Sequence, residues 1–178
     1  MKLFKTLLLT AGALTFSIFV ANKVQAQSPQ LSDPEIASVA VVANQIDVAN
    51  GKLALQKSKN EAVRKFAQNM VTDHNATIEA ATKLVTKLKV TPKNNAMSRS
   101  LQQDATKTTK SLKAKSGKAF DKAYVDNEVA YHRSVIQVVE TVLIPQAKNE
   151  ELKSLLQSAV PVFKAHLQHA EMLQKQLH

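Results

Sequence analysis

After residue 26 the chain carries only two glycines, Gly51 and Gly117, and no run in which apolar and polar residues alternate. In place of alternation, apolar residues recur every three or four positions through four long segments, the period of a helix buried on one side. A chain with so few flexible positions, rich in Ala, Leu, Lys, Gln and Glu, is confined to helices that must bury their stripes against one another.

Ser32-Asp33-Pro34-Glu35 opens the first helix, with an N-cap serine and a glutamate three residues on. Ile36, Ala40, Ala43, Asp47, Asn50 and Ala54 follow at helical spacing, widened by Val39, Val42, Ile46, Ala49 and Leu53, so the spacing predicts a helix from 33 to about 57. Ser58-Lys59-Asn60 reads as a tight connection. The second stripe is Val63, Phe66, Ala67, Met70, His74, Ala81, Leu84, Val85 and Leu88, ending before Thr91-Pro92. The polar stretch 93–116 contains Met97, Leu101, Ala105 and Leu112, enough for a short, weakly anchored helix that Gly117 can interrupt.

Residues 118–143 place Phe120, Tyr124, Val125, Glu128, His132, Val135, Val139 and Val142 in register, and Pro145 closes that segment. The last helix, about 148–176, carries Leu152, Leu155, Leu156, Ala159, Phe163, His166, Leu167, Ala170 and Leu173. Pro161 lies inside it. A proline has no amide donor and clashes with the carbonyl four residues earlier, here Gln157, so a kink or a break into two pieces is expected.

The reading is all-α: a four-helix bundle with a short additional crossover helix. Short links near 58–60 and 144–147 make helical hairpins. The long 90–117 link can return to the starting end and leave its flanking helices parallel, a ferritin-like topology.

Residues 1–26 stand apart. Met1–Lys5 is basic, 7-LLLTAGALTFSIFV-20 is apolar, and Val24-Gln25-Ala26 offers small residues to a signal peptidase. The apolar run of 14 residues is shorter than the roughly 20 a spanning helix needs. This segment reads as a signal peptide, followed by a short tail at 27–32 and a single bundle domain at 33–177. With no cysteine, neither disulfides nor a lipid anchor are available, so a periplasmic protein is expected. Removing Lys2, Lys5 and Lys23 lowers the formal charge from +10 to +7. The lysines are scattered, and only two Tyr, six Phe and no Trp are present, which argues against nucleic acid as a partner. An envelope protein or an anionic envelope surface fits this charge better.

Helix rise converts sequence position into height. Measured from the end of the first hairpin, Asp47, His74, Glu128, His132 and His166 all fall within roughly 6 Å of one level. Each also lies on the inward stripe of its helix, and Glu128 and His132 are four residues apart on one face. Three imidazoles and two carboxylates form a nitrogen–oxygen donor set suited to one Zn, Fe or Mn ion. The same five residues are compatible with a metal-free polar network that serves packing. Asp73, beside His74, is a candidate to accept an imidazole proton, and His169, near one turn beyond His166, is a weaker candidate ligand. No Cys nucleophile, glycine-rich phosphate loop or His-Glu-x-x-His motif is present, and no residues stand out as catalytic.

Three separated motifs carry a resemblance. Phe66-Ala67 leads to Met70-Val71-Thr72-Asp73-His74; Gly117-x-x-Phe120-Asp121-x-x-Tyr124 leads to His132; and Pro161 precedes His166 and Leu167. Together, over roughly 34–175, they resemble the uncharacterised bacterial family catalogued as domain of unknown function 4142, sometimes labelled outer-membrane proteins. The resemblance implies a ferritin-like bundle, an Asp-His pair at Asp73-His74, and family histidines at His132 and His166. Family members often have Glu where this chain has Asp47. It brings no established activity, and the outer-membrane label finds no barrel-like alternation here. The usual ferritin di-iron pattern, with a Glu three residues before each His, is not met: Val71, Val129 and Phe163 occupy those positions. The expected function is therefore an exported bundle that binds a single metal ion in envelope stress or metal handling. The alternative is a non-catalytic envelope structural or interaction protein.

Overall fold

The computed structural model describes residues 30–178; the signal-peptide reading of 1–26 lies outside the described residues. All regular structure in that range is helical. Helix α1 is Asp33–Lys57, α2 Glu61–Lys87, α3 Ala96–Lys113, α4 Gly117–Val138 and α5 Glu150–Leu177. Helix α4 runs on through a π-helical turn, Val139–Leu143, into a last short turn, Ile144–Gln146.

The caps explain the boundaries. The Glu35 carboxylate accepts from the Ser32 amide at 3.0 Å and its hydroxyl at 2.6 Å. The Asn60 side chain accepts from Ala62 and Val63, and Asn149 does the same for Glu151 and Leu152. These side chains satisfy amides that have no partner within the helix. Gly117 takes φ +53° between α3 and α4, a conformation that strains any residue with a Cβ.

Helix α3 corrects the expectation of a short, weakly held crossover. It is 18 residues long and tied at both ends to α1. At its start the Asn95 amide nitrogen donates to the Glu35 carbonyl, the Ser38 hydroxyl to Asn94, and the Lys93 amide to the Pro34 carbonyl. At its end Lys57 Nζ donates to the Lys113 carbonyl at 2.6 Å, and Leu112 is buried. Helix α3 thus runs parallel to α1 and returns the chain to the α1–α2 turn, so α2 and α4 are parallel.

Because α2, α3 and α4 all pack on α1, that helix is buried on most of its circumference. Ser38, Asn44 and Val48 are buried along with the expected stripe, whereas Ala49 is exposed. A helix enclosed in this way shows little one-sided patterning.

Prolines 145 and 161 have different outcomes. Before Pro145 the backbone widens: the Ile144 amide donates to the Val139 carbonyl, five residues back. This is the register of a π-turn, which makes room where a proline would otherwise clash. Through Pro161 the α5 helix is continuous from Glu150 to Leu177, so the expected break into two pieces does not occur.

Two apolar clusters fill the ends of the bundle. Phe66, Met70, Phe120, Tyr124 and Leu173 mark one end, and Ile36, Val39, Leu143, Leu152 and Leu156 mark the other. In the first half, α1 and α2 meet closely at Gly51, where a Cβ would lie 2.9 Å from Val71 Cγ2 and 3.0 Å from the Ala67 carbonyl oxygen. The backbone oxygen cannot rotate away. Gly51→Ala is therefore expected to destabilise the bundle by about 1–3 kcal/mol through overpacking, measured as a lower urea midpoint with an unchanged m-value. An unchanged midpoint would show that the hairpin can spread at no cost.

Candidate metal centre

Between the two apolar clusters lies a polar layer. His74 from α2, Glu128 and His132 from α4, His166 from α5 and Asp47 from α1 are all buried, Glu128 completely. One ligating atom from each of His74, His132 and His166 lies within 4.8 Å of the others, and the same holds for Asp47, Glu128 and His132. The two triads share His132. The imidazole centroids form a triangle with sides of 5.1, 5.6 and 5.6 Å. The structure thus brings together the five residues that sequence height and facing had placed at one level.

Each imidazole has one nitrogen engaged on its outer side. His74 Nδ1 lies 2.7 Å from Asn44 Oδ1, and the Asn44 amide nitrogen donates to the Ala40 carbonyl at 2.8 Å. That second bond fixes the amide so that Oδ1 must accept from His74. His132 Nδ1 donates to the Glu128 carbonyl at 3.0 Å, and His166 Nε2 to Asp73 Oδ2 at 2.9 Å. With one N–H committed outward on each ring, the opposite nitrogens carry lone pairs. These are His74 Nε2, His132 Nε2 and His166 Nδ1, and all three are buried without a hydrogen-bond partner. Buried nitrogens are normally partnered. Outward N–H bonds to carbonyl, amide and carboxylate oxygens are the arrangement that orients ligating histidines.

The carboxyl side is equally short of partners. Asp47 Oδ1 and both Glu128 oxygens have none, and the closest imidazole contacts, His74 to Asp47 and His132 to Glu128, are 3.6 Å. Burial holds the Asp47 carboxyl well above its usual range, reinforced by the neighbouring Glu128, and pushes Glu128 up to about 8. On the histidine side, burial lowers His74 to about 2 and His132 to about 4, with repulsion from the other imidazoles adding to both. His166 is also lowered by burial, against the opposing pull of Asp73. Without a cation the interior is therefore uncharged: neutral imidazoles beside protonated carboxyls. Neutral imidazole is the ligating form. Nitrogens bound at 2.0–2.1 Å to one tetrahedral ion stand roughly 3.4 Å apart, so the rings must draw inward to hold one.

The surroundings complete the layer. Phe163 stacks on His74 with centroids 5.4 Å apart and 14° between planes, and Tyr131 donates to the Ala43 carbonyl. The Tyr124 hydroxyl is buried and unpartnered; burial raises its pKa, with the nearby Glu128 and Asp47 adding to the effect. His169 stays out of both triads and sits edge-on against Phe66 at 5.2 Å. Asn44 and Phe163 position His74; Phe163 belongs to the inward stripe of its helix, whereas Asn44 lies off the stripe read for α1 and carries no sequence mark.

Fold and layer define an all-α bundle, built from two helical hairpins joined by a helical crossover, with a buried histidine–carboxyl centre. The chain belongs to the family described as Domain of unknown function (DUF4142), whose model matches residues 20–173. No curated protein matches the sequence at a significant level. Two solved structures share the fold. A DUF305 protein from Streptomyces coelicolor aligns with a TM-score of 0.68 at 13% identity, over 80% of this chain and 91% of its own. CopM in its Cu(II)-bound form aligns with a TM-score of 0.65 at 15% identity, over 84% of this chain and 100% of its own. Among the described residues no helix is long and apolar enough to cross a membrane.

Proposed function

We propose that this protein is an exported, ferritin-like bundle that holds one divalent transition-metal ion through His74, His132 and His166, with Asp47 and Glu128 as the carboxylate ligands, and serves metal handling in the cell envelope. The observation that carries this reading is the set of three inward imidazole nitrogens, each buried and unpartnered while its ring is oriented from outside. A metal-free packing network has no use for three mutually facing lone pairs, because each costs the desolvation of an unmet acceptor. Asp73 and Asn44 orient rather than ligate, and His169 has no part in the centre. The leader-like residues 1–26 support export.

A set of three nitrogens and two oxygens suits Zn, Fe or Mn. The Cu(II)-bound state of a protein sharing this fold adds copper to the ions to be tested, and copper is also the divalent ion that such donors bind most tightly. Storage or transfer of the ion is preferred to catalysis, because the five ligands are buried.

The test is elemental analysis of the untagged protein purified from its native compartment, with the His74→Ala/His132→Ala variant alongside. About one metal per chain, lost in the variant, is expected for a two-imidazole deletion. Native protein that carries no metal, and takes up none when Cu, Zn, Fe or Mn is supplied, would overturn the proposal and leave the layer as a structural network.

A further inference from the structure

Beside the polar layer the bundle is not filled. A cavity of about 230 Å³ lies among all five helices, and its wall follows α1 from Ala37 to Asn50. That stretch corresponds to roughly 20 Å of helix. An apolar cavity of about 150 Å³ is already large enough to admit benzene, and this one is larger and elongated, a shape suited to a chain rather than a disc.

The wall is mostly aliphatic, contributed by residues such as Val39, Leu101, Val135 and Leu156. Several of its polar groups are already satisfied. Asn44 is held by His74 and Ala40, Tyr131 by the Ala43 carbonyl, and Thr77 by the Asp73 carbonyl. Two are not. Asn50 Nδ2 and Asn127 Nδ2 both belong to the wall, both are buried at the atom, and neither makes a full hydrogen bond, Asn127 having only a loose contact with the Glu128 carboxyl. Asn50 is only 2% exposed, so water does not relieve it. Unmet buried donors of this kind are uncommon and costly. They ask for an acceptor supplied from within the cavity.

The wall also restricts the charge of that acceptor. It contains no lysine, arginine or histidine, and its one charged residue, Asp104, is exposed and paired with Lys107 at 2.8 Å. Asp47 lies one turn from Asn50 on α1, and Glu128 directly follows Asn127. In the metal-free protein an anionic head would be buried beside two carboxyl groups with no cation to offset it. A neutral carbonyl meets the two amide donors without that penalty.

We infer that this cavity is a binding site for a neutral single-chain acyl compound, an amide or ester, whose carbonyl oxygen accepts from Asn50 and Asn127 while its hydrocarbon chain lies along the aliphatic wall. The site borders the metal centre, sharing Asn44 and Phe163 with its surroundings, but none of the five ligands lines it, and its test is made with the metal removed, so failure of one leaves the other standing.

The probe is octanamide, titrated by calorimetry into the mature protein in chelator, with octanoate and methyl octanoate as comparisons. Saturable binding of one octanamide per chain is expected. Methyl octanoate should compete with it, and octanoate should bind at least about tenfold more weakly, the cost of burying its charge. Asn50→Leu should weaken octanamide about fivefold to tenfold, one hydrogen bond's worth. Ala159→Phe, which places a ring in the cavity, should abolish binding, with Ala40→Leu as a gentler filling variant read alongside. The inference is overturned if no saturable binding occurs, or if binding survives in whichever filling variant keeps the wild-type helical signal. Octanoate binding as tightly as octanamide would overturn the neutral acyl assignment.

Discussion

Stripped of metal, the protein should be most stable between about pH 4.5 and 6.5 and should weaken on either side of that window. The limits are the ordinary pKa values of a glutamate and a histidine, which the unfolded chain retains. Above 6.5 the unfolded histidines are neutral and the unfolded carboxyls ionised, whereas the folded state still holds the Glu128 proton up to about 8, and the raised Asp47 acts in the same direction. The folded state then binds more protons than the unfolded one, so stability falls as pH rises, by about 1.4 kcal/mol per pH unit for each proton held. Between 4.5 and 6.5 the unfolded chain takes up protons on His74, His132 and His166, all lowered in the folded chain, which offsets the carboxyl protons that the folded chain holds. Below 4.5 the unfolded carboxyls protonate as well and the balance tips. Stability then falls with falling pH, because folded His132 stays neutral to about 4 and folded His74 to about 2; the lowered His166 acts in the same direction.

A bound ion reverses the alkaline limb. It requires the carboxylates ionised and the imidazoles neutral, so the optimum should move above pH 6.5. An ion at a hundred times its dissociation constant should add about 2.7 kcal/mol there. Urea unfolding at half-unit pH steps, with chelator and with each metal, measures both effects. Metal-free stability that climbs steadily to pH 8 would mean that Asp47 and Glu128 are already ionised and hydrated.

The layer's composition was legible because two simple constraints act together. A residue's height follows from helix rise, and its facing follows from the stripe it shares with Phe66, Val125 or Phe163. Asp47, His74, Glu128, His132 and His166 satisfy both, so sequence alone could place them on one level. The roles of their partners were not legible in the same way. Asn44 reaches His74 from the face of α1 that packs against α2, the face that also carries Gly51 two turns on, and its place there follows from the hairpin rather than from the apolar stripe. Helix α3 buries little beyond Ser98 and Leu112 and is held instead by caps and main-chain contacts at its two ends. Such anchors leave no periodic signature, which is why the crossover read as weak. His169 follows His166 by three residues, near enough to one turn to suggest a shared face, yet the rotation carries it to Phe66 instead. The π-turn before Pro145 and the uninterrupted passage through Pro161 have the same origin. A proline removes one donor at a known place, but the sequence does not say whether the backbone widens, bends or stops.

Glu128→Leu should abolish metal uptake and at the same time raise the stability of the metal-free protein. Glu128 is fully buried, neither of its oxygens has a hydrogen-bond partner, and burial lifts its pKa to about 8. Exchanging a buried, poorly partnered ionisable group for an apolar one of similar volume is neutral or stabilising by about 1–4 kcal/mol. The gain should grow with pH, since the carboxyl is more costly the further the solution lies above its unfolded pKa. His132 keeps its orientation in this variant, because its Nδ1–H is held by the main-chain carbonyl of residue 128 rather than by the carboxylate. Loss of metal can then be assigned to the missing oxygen ligand rather than to a displaced ring. A residue that weakens the resting fold and is required for the ion is what a binding centre maintained against its own stability cost would contain. If Glu128→Leu instead lowers stability by several kcal/mol in chelator, the carboxyl is holding the bundle together, and the layer is a packing network after all.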